Sequence, residues 1–265
     1  IVTAEGQILQ VDAGHRPDLF WAIRGGGGNF GAVTRFQFRL HPVDQILGGI
    51  LILPATPQVI AGFMAEAAAA PDELSTIANV MTAPPMPLVP PEMYGQVILM
   101  AMMAYAGDLA RGEQVLAPFR SLAAPIADLV RPIRYPEVFP PEAEDYHPTA
   151  ASRTLFMDYI GLEEAGKILH ELQESDAVFR VAQLRALGGA MARVPAEATA
   201  FAHRQSKIMV NLAAFYTSPE DRQVRQAWLA DFEAALRQGD HGRYVNFMGE
   251  EGAGLTGEAY PPETL

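Results

Sequence analysis

From Thr34 to Leu40 apolar and polar positions alternate strictly: Thr34, Phe36, Phe38 and Leu40 share one face, and Arg35, Gln37 and Arg39 the other. That period of two predicts a half-buried strand. Upstream, two short apolar runs at 2–4 and 7–11 flank Glu5-Gly6 and predict a hairpin. Residues 17–23 open with Pro17 and Asp18 and close on glycines, the asymmetry of a short helix. His41-Pro42-Val43 breaks the pattern, and a domain boundary is expected near residue 43. Beyond it strands and amphipathic helices succeed one another. A strand at 49–53 precedes a helix with Thr56 as N-cap and Val59, Ile60, Phe63, Met64 and Ala67 on one face. Strands at 74–82 and 96–105 are joined by a proline-rich loop at 84–91, and a helix follows at 108–122. An acidic, proline-dotted stretch to Pro148 reads as a stiff loop or lid. Then come a strand at 155–160, a helix marked by Leu162, Ala165, Ile168, Leu169 and Leu172, and strands at 177–187 and 207–216. A last helix, capped by Ser218, carries Val224, Trp228, Phe232 and Leu236. This order predicts an α+β fold in which a large antiparallel or mixed sheet is flanked by helices.

Composition narrows the partners. With 265 residues, 49% of them apolar, a sizeable core is within reach. A formal charge of −12 opposes nucleic acid and anionic membrane, since both attract basic faces. A small organic molecule is the better default. There is no cysteine, and the six histidines are scattered without metal-ligand spacing. The longest apolar run, at 97–106, is far short of the roughly 20 residues that span a bilayer. The chain starts without methionine or a signal-like region, leaving localisation open with the cytoplasm favoured, and stops after a glycine-rich run, like a middle piece of something longer.

The stretch Arg24-Gly25-Gly26-Gly27-Gly28-Asn29-Phe30-Gly31 contains GxGxxG. A nicotinamide-binding fingerprint needs the order strand, glycines, helix, with the pyrophosphate on the helix N-terminus. Here the order is helix, glycines, strand, which weakens that reading, and no Gly-Lys-Ser/Thr follows to make a P-loop. Four glycines without Cβ atoms would still let a flat or charged ligand touch backbone N–H groups, whereas a helix C-cap needs only one.

The run from Asp18-Leu19-Phe20-Trp21-Ala22-Ile23 through the glycines to Ala32-Val33-Thr34 and Phe38-Arg39-Leu40 resembles the segment that closes the FAD-binding domain of berberine bridge enzyme-like flavoprotein oxidases, of the vanillyl-alcohol oxidase (PCMH) type. Leu187-Gly188-Gly189-Ala190, Ala200-Phe201-Ala202-His203-Arg204, and Tyr244-Val245-Asn246-Phe247 before Gly249 fit the same family in the same order. The resemblance implies residues 1–43 as the last part of an FAD-binding domain. Residues 44–265 would then be a substrate domain and the start of the family's C-terminal segment. It also implies FAD as cofactor, hydride transfer from an alcohol, sugar, amine or phenolic substrate, and oxygen as acceptor. The flavin contacts would come from Gly25, Gly26, Gly27, Gly28, Asn29, Phe30, Gly31, Val33 and Asn246. The family's covalent flavin attachments fall upstream of residue 1, so the chain alone is expected to bind FAD weakly or not at all.

Strand alternation puts Gln183 and Arg185 on one face. In the family such positions face the flavin, and Arg185 matches one that touches substrate in relatives. A guanidinium there would hold a substrate carboxylate or stabilise anionic reduced flavin; on a surface strand it would simply be solvated. Asn79 is a candidate of the same kind. His203 and Arg204 follow a loop, where a histidine is more often structural than catalytic. Relatives often carry Tyr-x-Asn-Tyr with the second tyrosine as base, and here that position is Phe247, which does not titrate. The base then falls to Tyr244 or another tyrosine, or the substrate has a weaker proton requirement, and the candidate catalytic residues are Tyr244, Arg185 and Gln183. The alternative is a non-catalytic small-molecule binding or assembly module of the same fold.

Overall fold

The computed structural model describes residues 1–139, 148–239, 242–248, 256–260 and 264. Gly249 and the glycine-rich run behind it, and the part of the acidic stretch at 140–147, lie outside the described residues. In chain order the elements are α1 (Pro17–Ala22), β1 (Gln45–Pro54), α2 (Pro57–Ala69), β2 (Leu74–Thr82), β3 (Val97–Tyr105), α3 (Leu109–Arg120), β4 (Ala127–Asp128), β5 (Arg131–Arg134), β6 (Ala150–Met157), α4 (Leu162–Glu174), β7 (Arg180–Ala186), α5 (Gly189–Arg193), β8 (Ile208–Phe215), α6 (Pro219–Leu236) and α7 (Thr256–Ala259). Local chemistry sets the helix starts. Thr56 Oγ1 accepts the Val59 N–H ahead of α2, Asp108 accepts that of Arg111 ahead of α3, and Ser218 accepts that of Asp221 ahead of α6.

The eight strands form one antiparallel sheet ordered β4-β1-β3-β2-β7-β8-β6, with β5 also paired to β1. Its two faces differ. Leu51, Leu53, Ala78, Val80, Leu99, Ala101, Ala182, Leu184, Val210, Leu212 and Leu155 turn toward α2, α3, α4 and α6 and make the main core with Ile60, Phe63, Phe119, Ile168, Leu172, Leu229 and Phe232. The alternate positions make the second face. At one end Ile52, Met81, Ile98 and Val181 are covered by Val89 and the partly buried Met86, Leu88 and Met93 of the proline-rich loop. At the other end Arg185 and Phe156 meet the loops that build the cleft described below.

Three expectations change. Residues 34–40 form no strand, and among the described residues the nearby pairing stops at the isolated bridge between Val2 and Ala32. A strand exists only through ladder bonds to a neighbour, and no described segment offers one. Phe36, Phe38 and Leu40 are left exposed, with the two phenyl rings stacked 5.5 Å apart. Second, the proline-dotted stretch is partly sheet, because β4 and β5 pair with β1 at Leu51–Ile52 and Gln45–Gly48. Third, α6 buries Arg225, Leu229, Phe232, Glu233 and Leu236, whereas Val224 is exposed. No described helix is long and apolar enough to cross a membrane.

Candidate functional site

The glycine loop follows α1 and is held by contacts distant in sequence. Trp21 Nε1 donates to the Glu197 carbonyl at 2.7 Å, and the Ala200 N–H to the Trp21 carbonyl at 3.3 Å. These bonds bring residues 196–201 against the loop so closely that a Cβ on Gly25, where φ is +134°, would lie 2.1 Å from the Phe201 nitrogen. At Gly31 it would lie 2.2 Å from the Val2 carbonyl oxygen. Both glycines thus serve the chain's own packing, a reason the motif alone does not reveal. Gly28 is different: nothing lies within 4 Å of where its Cβ would be. Asn29 Nδ2 donates to the Gly26 carbonyl at 2.7 Å and stiffens the loop. Phe30 packs against Gly26, and Val33 is half-buried beyond the loop.

Ile23, Arg24, Gly25, Gly27, Phe201, Arg204, Tyr244 and Asn246 line a cleft of about 440 Å³. Tyr244 and Asn246 come from residues 244–247, where Asn246 Nδ2 donates to the Tyr244 hydroxyl at 2.8 Å and the Tyr244 and Phe247 rings sit 5.6 Å apart. Arg185, on the second face of β7, puts its guanidinium over the Phe247 ring, 5.2 Å from the centroid. Its Nη1 is buried and has no hydrogen-bond partner among the described residues. Burial pushes the Arg185 guanidinium below its ordinary pKa, and the nearby Tyr244 phenol opposes that shift. The structure therefore brings Tyr244 and Asn246 together with the glycine loop, and sets Arg185 beside them on Phe247.

Gln183 lies two residues earlier on β7, on the same face, and its Nε2 donates to Asn79 Oδ1 at 2.8 Å. Asn79 Nδ2 in turn donates to the Met100 carbonyl at 3.1 Å. Neither amide lines the cleft. His203 is buried, stacked on Phe156 at 4.1 Å and bonded through Nε2 to the Arg243 carbonyl at 2.8 Å, which is a structural role. Arg204 donates to Thr199 Oγ1 at 2.7 Å and covers Phe201.

Sequence reasoning missed what holds Tyr244 in place. Glu233 of α6 is 3% exposed and accepts Arg153 Nη1 at 3.0 Å, Arg243 Nη2 at 2.7 Å and the Arg237 guanidinium. Arg243 also donates from Nε to Glu258 at 2.7 Å and from its N–H to the Glu258 carbonyl at 2.8 Å. The residue preceding Tyr244 is thereby fixed by α6, β6 and α7 together. The one sequence signal was a charge at 233 on the buried face of an amphipathic helix.

No protein-family model matches the chain. An FAD-linked oxidoreductase of Dictyostelium discoideum is 28% identical over 260 residues, covering 93% of this chain and 53% of that protein. The chain thus spans about half the length of this curated relative. Among solved structures, wild-type Physcomitrella patens BBE-like 1 superposes with a TM-score of 0.79 at 16% identity, covering 99% of this chain and 58% of that one. The 6-hydroxy-D-nicotine oxidase of Arthrobacter nicotinovorans gives 0.78 at 18% identity, covering 99% and 59%.

Proposed function

From a chain homologous to FAD-linked oxidoreductases and folded as the berberine bridge enzyme-like proteins are, we infer that it contributes the substrate side, and part of the cofactor seat, of an FAD-dependent oxidase. Its substrate is an organic alcohol, sugar, amine or phenol, and oxygen is the electron acceptor. The observation that supports this reading is the cleft that the glycine loop shares with Tyr244 and Asn246, with the Arg185 guanidinium on the adjoining Phe247 ring. On this reading residues 1–43 close the flavin domain and residues 44–265 form the substrate domain.

The residues fit such a cofactor. Gly28 leaves open space beside backbone, and buried Nη1 of Arg185 and Nε of Arg204 lack partners among the described residues. A large planar ligand with acceptor edges suits that combination. The loop at 25–31, Val33 and Asn246 would hold it, and when bound FAD supplies the hydride acceptor. The chain's own groups do the rest. Tyr244 receives its hydrogen bond from Asn246, so its own O–H is left to exchange a proton with a substrate hydroxyl. Arg185 keeps a fixed positive charge beside it, suited to a ligand that gains negative charge. Phe201 and Phe247 set apolar rings beside Tyr244 in the same corner.

The test is spectroscopic. The whole protein that carries this chain, supplied with FAD, is expected to show flavin absorbance that bleaches anaerobically with a substrate from an alcohol, sugar and amine screen. A colourless protein that takes up no FAD would overturn the reading.

A further inference from the structure

Arg185 carries its charge without a counter-ion. Arg120, Arg153, Arg225 and Arg243 each reach a carboxylate, and Arg180 donates to the Leu172 and Ala177 carbonyls. Arg185 forms no hydrogen bond and no ion pair among the described residues; it lies over the Phe247 ring, near the Tyr244 phenol. A half-buried guanidinium left without an acceptor is costly. Beside it runs an apolar strip. Ala78 pairs with Leu184 on the core side, which sets the next residues, Ile77 of β2 and Arg185 of β7, side by side on the second face. Ile77 pairs with Met102 of β3, and Met102 with Ile50 of β1. All four side chains are partly exposed, so a ligand can reach them from solvent. At about 4.8 Å per strand, the strip from Ile77 to Ile50 is about 10 Å wide.

We propose that Arg185 and the strip formed by Ile77, Met102 and Ile50 bind one ligand, an organic acid with an apolar body about 10 Å long. The proposal rests on the reading of this face as the substrate side of the site. It narrows the substrates to those that carry a carboxylate besides the group that is oxidised. Stacking on Phe247 uses the flat face of the guanidinium and leaves its edge, where the N–H donors lie, to a carboxylate. The apolar body then takes Ile77, Met102 and Ile50 out of water. Other ligand classes satisfy only part of this arrangement. An alcohol leaves the cation without a counter-ion, an amine is repelled by it, and a polyol sets hydroxyls against the apolar strip.

The test titrates the whole protein that carries this chain with octanoate, octanol, octylamine and acetate, followed by calorimetry. Octanoate, whose extended chain matches the strip, is expected to bind at least about tenfold more tightly than octanol, a difference of about 1.4 kcal/mol. Octylamine, with the wrong charge, and acetate, with no apolar body, are expected to fall at least about tenfold below octanoate as well. R185M keeps an unbranched side chain and removes the charge. It is expected to lower octanoate to the affinity of octanol and to leave octanol unchanged, which also shows that the variant is folded. M102Q is expected to weaken both. Octanol binding as tightly as octanoate would reduce the strip to an apolar contact and overturn the site. So would an R185M variant that binds octanoate as the parent does. The ranking of the four probes on the parent decides even where a variant fails to fold. Calorimetry needs no flavin: a protein that takes up FAD yet shows no preference for octanoate keeps the oxidase reading and loses this site.

Discussion

Arg185 and Phe247 form a stacked pair, guanidinium over ring at 5.2 Å, and it joins strand β7 to the segment that carries Tyr244. A half-buried cation over an aromatic face contributes about 0.5–2 kcal/mol. A double-mutant cycle with R185L and F247L, read by urea denaturation, is expected to return a coupling energy in that range. Additive effects would mean the two side chains are neighbours without interacting.

The glycine loop predicts two opposite outcomes from one substitution. G25A drives a methyl into the Phe201 backbone at a positive φ and is expected to destabilise the protein by about 2–4 kcal/mol in thermal or urea unfolding. G28A, with open space around it, is expected to stay within about 0.5 kcal/mol of the parent and to weaken FAD uptake by the whole protein.

Glu233 sits among Arg153, Arg237 and Arg243 in the interior. E233Q keeps the shape and removes the buried charge that Arg153, Arg237 and Arg243 share. The expected loss is about 3–5 kcal/mol of unfolding free energy. A loss below about 1 kcal/mol would show that solvent screens the cluster as it does a surface pair.

The loop ahead of α1 carries an acid-dependent contribution. The His15 side chain, then the Gly14 N–H, hold the Asp12 carboxyl down at about 2, against an ordinary value of 3.8. A depressed folded-state value stabilises above the ordinary one and stops doing so as pH falls through about 2. Parent and D12N should therefore differ in melting temperature near pH 6 and converge near pH 2. A gap that persists at the acid end would assign the difference to shape instead of charge.

What was legible in the sequence follows from the range of each signal. The starts of α2, α3 and α6 rest on a cap and its next turn, all within four residues, and they formed as expected. The face of β7 follows from alternation, and so Gln183 and Arg185 were put on one side of it. The strand at 34–40 had the same alternation and no partner among the described residues, which no local pattern reports. Gly25 and Gly31 invite a ligand when read as a motif, yet contacts with Phe201 and Val2 already require them. Asn211 could be placed on a strand, but its unpaired oxygen emerges only when β6 and β7 are set on either side of it.

The ribbon at 34–40, which pairs with no described segment, has a consequence for handling the chain. Its backbone groups are open to a second ribbon, and Phe36, Phe38 and Leu40 would reward the pairing. Opposing it are Arg35 and Arg39, which alternation sets on a common side, so that two ribbons laid together would crowd four guanidiniums. That repulsion is screened over about 8 Å at physiological ionic strength and over about 3 Å at 1 M. The chain should therefore stay dispersed in dilute buffer and gather into larger species as salt is added, the reverse of what holds for proteins that associate through opposite charges.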